Sequence, residues 1–181
     1  MTNFQEPLSD EARERLDRIK LFALDVDGTL TDGKVVYVGG EELQAFDVRD
    51  GQGLVWVRRA GVKLAWITGR GCEATRRRAR ELGVEFVVLE CKGKRAALAA
   101  IQAELGIDAS ETLAMGDDLP DLALANEASV FAAPADARAE VRERADIVAR
   151  AKGGEGAVRE VCELFLRAKG QWAAIQSSAG R

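Results

Sequence analysis

Asp25 and Asp27 stand two residues apart in Leu24-Asp25-Val26-Asp27-Gly28-Thr29-Leu30-Thr31-Asp32-Gly33, where an apolar run gives way to turn residues. Side chains at i and i+2 of a strand project to the same face, so both carboxylates can act on one reacting centre. An Asp carboxylate is one of the nucleophiles that attack phosphorus to give an acyl phosphate. A second acid beside it can protonate a leaving alkoxide and then take a proton from water. Gly28 lets the chain turn sharply after the pair. An isolated Asp-x-Asp-Gly is also what any strand ending in a turn looks like. Here it has company: Ile67-Thr68-Gly69-Arg70, then Lys94, then Met115-Gly116-Asp117-Asp118-Leu119-Pro120-Asp121, each after its own apolar run.

Thr68 ends an apolar strand, where its hydroxyl and the Gly69 N–H can bind a phosphoryl oxygen, although Thr-Gly is also a common entry to a helix. Lys94 opens a helical stretch, a position that is usually solvated, but an ammonium there would answer the charge of a transferred phosphoryl group. Asp117, Asp118 and Asp121 carry more weight, since packed acids after an apolar strand repel one another unless a cation compensates. Helix N-capping would account for one of them, not three. In order and spacing, these four segments resemble the motifs of the haloacid dehalogenase superfamily of phosphatases. The resemblance implies Asp25 as nucleophile, Asp27 as general acid/base, and Thr68 and Lys94 as phosphoryl ligands. It further implies Mg2+ among Asp25, Asp27 (through its carbonyl) and Asp117, with Asp118 or Asp121 orienting metal-bound waters.

The elements that must position these residues alternate along the chain. Apolar runs at Leu21–Leu24, Lys63–Ile67, Phe86–Leu89, Thr112–Met115 and Ala128–Phe131 are separated by helical stretches at Leu54–Ala60, Glu73–Leu82, Lys94–Leu105 and Asp121–Ala125. Such alternation predicts an α/β fold, a doubly wound Rossmann-like parallel sheet with helices on both faces. Val141–Arg144 continues a helix before a short strand at Asp146-Ile147-Val148, and Ala157–Lys169 closes the fold. Ser9–Lys20 reads as a surface helix leading into the first strand. Residues 1–20 would form this leader and 170–181 a tail on one domain. Within residues 34–48, Val35–Val38 and Leu43–Val48 flank Gly39-Gly40, which predicts a β-hairpin. Leaving from the carboxyl end of the first strand, where ligands of open parallel sheets bind, it would stand over the site as a flap. An ornamental surface hairpin is the plainer alternative.

The 181 residues allow one sizeable core and are too few for two comfortable domains, so one domain is expected. A formal charge of −4 gives no footprint for nucleic acid. No run is long and apolar enough for a membrane span, and no secretory signal opens the chain. A cytoplasmic protein is the expectation. Cys72, Cys91 and Cys162 are too few and too scattered for a disulfide framework. The absence of histidine removes Ser-His and Cys-His mechanisms and imidazole ligands together. Any metal must sit among oxygens, which favours magnesium over zinc.

A finer resemblance rests on Asp25-Val26-Asp27-Gly28-x-Leu30-Thr31-Asp32-Gly33, the hairpin, Phe46-x-x-x-Asp50-Gly51, Ile67-Thr68-Gly69-Arg70, Gly116-Asp117-Asp118 and Gly153-Gly154-x-Gly156-Ala157-Val158-Arg159-Glu160. Together these look like the 3-deoxy-D-manno-octulosonate 8-phosphate phosphatases, a cap-less, tetrameric family of lipopolysaccharide precursor synthesis. The likeness implies a sugar phosphate substrate, with Gly69, Arg70 and Arg78 as substrate-binding residues. Arg78 lies in Arg76-Arg77-Arg78, otherwise a solvated helical face. Members acting on the nine-carbon sugar acid 9-phosphate carry an acidic residue at the place of Arg70, so Arg70 favours the eight-carbon substrate. Where this chain has Asp136-Ala137-Arg138, relatives often show Asp-Ala-His. The nine-carbon phosphatase, a phosphomutase and a non-catalytic oligomerisation module remain alternatives. A mutase would need a cap that the insertion is too short to supply, and such modules can lose motif residues that are all present here.

Overall fold

The computed structural model describes residues 10–178. Ser9, where the leading helix is expected to begin, and residues 179–181 of the tail lie outside the described residues. In chain order the elements are α1 (Asp10–Asp17), β1 (Leu21–Leu24), β2 (Val36–Val38), β3 (Glu41–Leu43), α2 (Val48–Arg59), β4 (Lys63–Ile67), α3 (Glu73–Leu82), β5 (Phe86–Val88), α4 (Lys94–Leu105), β6 (Thr112–Met115), α5 (Leu122–Ala125), β7 (Val130–Ala133), α6 (Ala139–Arg144), β8 (Ile147–Val148), α7 (Ala157–Ala168) and α8 (Trp172–Ser178). Six strands form one parallel sheet in the order β5-β4-β1-β6-β7-β8, while β2 and β3 pair antiparallel outside it.

β1 is apolar throughout because it is covered on both faces. Phe22 and Leu24 enter a core shared with α1, α2, α7 and α8, whereas Leu21 and Ala23 face the core under α4, α5 and α6. The chain runs from β1 outward to β4 and β5, then crosses back to β6 on the other side of β1. That reversal between β1 and β6 opens a crevice at the carboxyl ends of the strands. Among the described residues the only insertion between β1 and α2 is the hairpin, and no cap domain follows Asp27. No described helix is long and apolar enough to cross a membrane.

Several expected elements change. The second hairpin strand is Glu41–Leu43 rather than Leu43–Val48, and α2 begins at Val48 rather than Leu54. Asp47 decides this boundary by capping α2, its Oδ1 accepting from the Arg49 N–H at 2.7 Å. The glycines in the first turns of α2 are packing positions: Gly51 lies under the Arg78 guanidinium, and a Cβ on Gly53 would come within 3.1 Å of Cys162. β7 starts at Val130 rather than Ala128, because the chain up to Glu127 still completes the turn of α5, with the Asn126 and Glu127 N–H groups donating to Leu122 and Leu124 carbonyls. Residues of the expected tail form α8, anchored by Trp172 edge-on to Trp56 at 5.6 Å. Arg159 lies over the Trp56 ring at 4.2 Å.

The Gly153–Gly156 segment docks on its own chain. The Gly154 N–H donates to the Thr29 carbonyl at 3.1 Å and the Gly153 N–H to Asp136 Oδ1 at 3.0 Å. Any side chain on Gly153 would collide with the Gly28 carbonyl. These glycines therefore brace the loop that carries the first motif.

Candidate active site

β1 ends at Leu24, and the Asp25 N–H donates to the Met115 carbonyl of β6 at 3.0 Å, so the next side chain emerges beside the crevice. Thr68 follows β4, Lys94 opens α4 after β5, and Asp117 stands two residues beyond β6. A pocket of about 510 Å³ brings together Asp25, Asp27, Thr68, Lys94, Asp117 and Asp121, with Gly69, Arg70 and Asp118 also on its wall.

Lys94 is the hub. Its Nζ donates to Asp25 Oδ1 at 2.5 Å and to Asp121 Oδ1 at 2.6 Å, with both carboxylates almost fully buried. Burial works against the ammonium charge, yet Asp25 and Asp121 raise its pKa to about 12. Asp25 is pushed above the usual carboxylate range by burial and by the repulsion of Asp121, against the pull of Lys94. Asp117 rises to about 6 through burial and the same repulsion. Three acids thus face one ammonium. Each of Asp25, Asp117 and Asp121 offers an oxygen, and these oxygens lie within 4.8 Å of one another. A hard divalent cation fits that all-oxygen cluster and would relieve its excess charge.

Gly28 makes the cluster possible. Its φ of +96° suits glycine alone, and a Cβ there would strike the Asp117 carboxylate. Asp121 also braces the loop, its Oδ2 accepting from the N–H groups of Asp117 and Asp118 at 3.0 and 3.1 Å. Asp118 is exposed and caps the short turn after it, accepting from the Leu119 N–H at 2.8 Å. The Asp27 carboxylate is turned away from the acid cluster: Oδ2 accepts from the Thr68 hydroxyl at 2.6 Å and Oδ1 from Gln44 Nε2 at 2.8 Å.

The substrate-binding candidates divide. Arg70 is on the pocket wall, but its fork is closed on Glu42 of β3, at 3.0 Å from Nε and 2.7 Å from Nη2. Hydrogen bonds to Glu42 and Tyr37 hold its pKa above the ordinary arginine value. Arg78 does not line the pocket; it lies against Gly51 and pairs with Glu81 at 3.3 Å. Three polar partners were not signalled by motif spacing. Thr29, within the first motif, donates to Asp117 Oδ1 at 3.2 Å, and Gln44 and Glu42 reach the site from the hairpin.

A profile of the haloacid dehalogenase-like hydrolases matches residues 92–161. The 3-deoxy-D-manno-octulosonate 8-phosphate phosphatase of Escherichia coli K12 is 38% identical over 153 residues, covering 83% of this chain and 81% of that protein. The chain belongs to this family of haloacid dehalogenase-like hydrolases. Its Haemophilus influenzae member is 35% identical over 146 residues, 80% of this chain and 81% of that one. A crystal structure of the family's Moraxella catarrhalis enzyme, in complex with magnesium, phosphate and 3-deoxy-D-manno-octulosonate, superposes with a TM-score of 0.91 at 40% identity, covering 94% of this chain and 99% of that one. The Yersinia pestis member gives a TM-score of 0.90 at 34% identity over 96% and 94% of the two chains.

Proposed function

We infer that the chain is a magnesium-dependent phosphatase that hydrolyses 3-deoxy-D-manno-octulosonate 8-phosphate to the free sugar acid and phosphate, in the cytoplasmic synthesis of lipopolysaccharide precursor. The observation that carries this reading is the lysine-centred cluster of buried acids at the sheet's crevice, with Asp27 facing the same pocket, in a chain of this family. Asp25 attacks phosphorus, the bond to the sugar oxygen breaks, and that oxygen takes the departing electron pair and a proton from Asp27. Water then gives a proton to Asp27 and attacks the phosphoryl group, releasing phosphate and Asp25. Lys94 balances charge on the transferred group, and the Thr68 hydroxyl and Gly69 N–H donate to its oxygens. A bound magnesium ion supplies further positive charge; Asp25, the Asp27 carbonyl and Asp117 would hold it, with Asp118 or Asp121 turned to its waters.

Phosphate release from a panel of sugar phosphates, with magnesium and with chelator, tests the assignment. The eight-carbon sugar acid phosphate is expected to lead only when magnesium is present; equal turnover of hexose 6-phosphates would remove the sugar-acid assignment, and a nine-carbon preference would move it to the sister activity. For Arg70 to fork a substrate carboxylate, Glu42 must release it. Arg70→Ala should therefore raise KM for the sugar acid phosphate about ten-fold or more, and for hexose phosphates far less. Equal changes in both would exclude Arg70 from selectivity.

Assembly follows from the hairpin. Tyr37 and Val38 are 68% and 58% exposed, beside exposed Val35, Val36 and Leu43, on a two-stranded ribbon that cannot bury them alone. Packing four such hairpins together in a homotetramer would bury this surface and wall the open pocket. Light scattering of the wild type should give a mass of four chains, and Val38→Lys a smaller species with reduced activity. A fully active monomer would contradict shared pockets.

A further inference from the structure

One residue of the hairpin segment holds the side chain read as the general acid/base. Gln44 lies just after β3, half-buried, between α3 and the first motif. The buried Thr75 hydroxyl of α3 donates to Gln44 Oε1 at 2.5 Å, and Gln44 Nε2 donates to Asp27 Oδ1 at 2.8 Å. The amide's orientation follows from its partners: with the transferable proton on Oδ2, Asp27 Oδ1 only accepts, so the NH2 group faces Asp27, and Oε1 is left for the hydroxyl. The other Asp27 oxygen, Oδ2, is held by Thr68 at 2.6 Å.

We propose that Gln44, fixed by Thr75, is a positioning residue that sets the Asp27 carboxyl for proton transfer to the leaving sugar oxygen. The proposal rests on the reading of Asp27 as acid/base. When a phosphoryl group enters, the Thr68 hydroxyl turns to it and releases Oδ2. Gln44 then remains the contact that keeps the carboxyl plane fixed, with Oδ2 free to protonate the oxygen whose bond to phosphorus breaks. A carboxyl free to rotate loses the near-attack geometry on which such transfer depends. Gln44 therefore also ties acid/base chemistry to the order of the hairpin.

Leaving-group dependence separates this role from a structural one. An alkoxide needs a proton as it departs; 4-nitrophenolate carries the electron pair unaided. Gln44→Met keeps the size of the side chain and removes both hydrogen bonds. Single-turnover phosphoryl transfer from the sugar acid phosphate is expected to slow about ten-fold or more, with KM little changed. The nitrophenolate burst from 4-nitrophenyl phosphate should fall far less. Thr75→Val should reproduce part of the effect and add nothing to Gln44→Met, since it acts through the same amide, while Thr75→Ser should stay near wild type. Equal losses with both leaving groups, or no loss with either, would overturn the proposal. Asp27→Asn run in parallel distinguishes the failures: if it spares the alkyl phosphate, the acid/base reading itself falls, whereas if it slows that substrate and Gln44→Met does not, only the role of Gln44 falls.

Discussion

Asp25→Asn is expected to lower phosphate release by ~10^4-fold or more, the scale on which removing a covalent nucleophile acts. The amide keeps the size of the carboxylate, so the effect is chemical. Asp25 sits with its Oδ1 on Lys94 and almost no exposure, beside Asp117 and Asp121, which are committed to the loop and the cation cluster. No neighbouring group of the pocket offers a substitute: Asp27 is turned toward Gln44 and Thr68. Losing one of three acids should also relieve repulsion, so the variant is expected to fold at least as stably as the wild type. Steady-state phosphate release beside a thermal melt checks both halves. Turnover within ten-fold of wild type would remove Asp25 from the chemistry.

Lys94→Met has the second largest expected effect, and a different signature. Removing the ammonium leaves Asp25 and Asp121 buried and unpaired, and breaking a buried pair in this way costs about 3–5 kcal/mol. Metal-free protein should melt roughly 10 °C lower, and added magnesium should recover part of the loss, because a cation that binds only the folded cluster stabilises it by mass action. Turnover should fall about a hundred-fold or more for want of the charge on the transferred group. A melt that magnesium leaves unchanged would show that the acid cluster does not hold the ion.

How far the sequence disclosed this arrangement depended on which physical signal each residue sends. β1, β4 and β6 are buried on both faces, so their apolar runs stood out with their ends in place, and Asp25, Thr68 and Asp117 could be located at strand ends from those runs alone. Boundaries failed where local chemistry was ambiguous. Gly51 and Gly53 look like a turn but are the close-packed face of α2 against Arg78 and Cys162. Ala128 extends an apolar run that the turn after α5 interrupts, and Trp172 anchors a helix too short to announce itself by period. At the site, Asp118 behaves as the capping acid that the spacing allowed, whereas Asp121 is buried on Lys94. Gln44 and Glu42 sent no signal, since a hydrogen bond from a surface ribbon to a residue 17 or 28 positions away leaves no periodicity to read.

The central claim is that a phosphoryl group passes through Asp25, and rapid-quench mass spectrometry of the wild type turning over the eight-carbon sugar acid phosphate with magnesium tests it most directly. The account predicts a transient phosphoryl group on the peptide carrying Asp25, formed at a rate no slower than turnover and absent from Asp25→Asn. Turnover with that peptide unmodified at every quench time, or with the phosphoryl group on another residue, would contradict it.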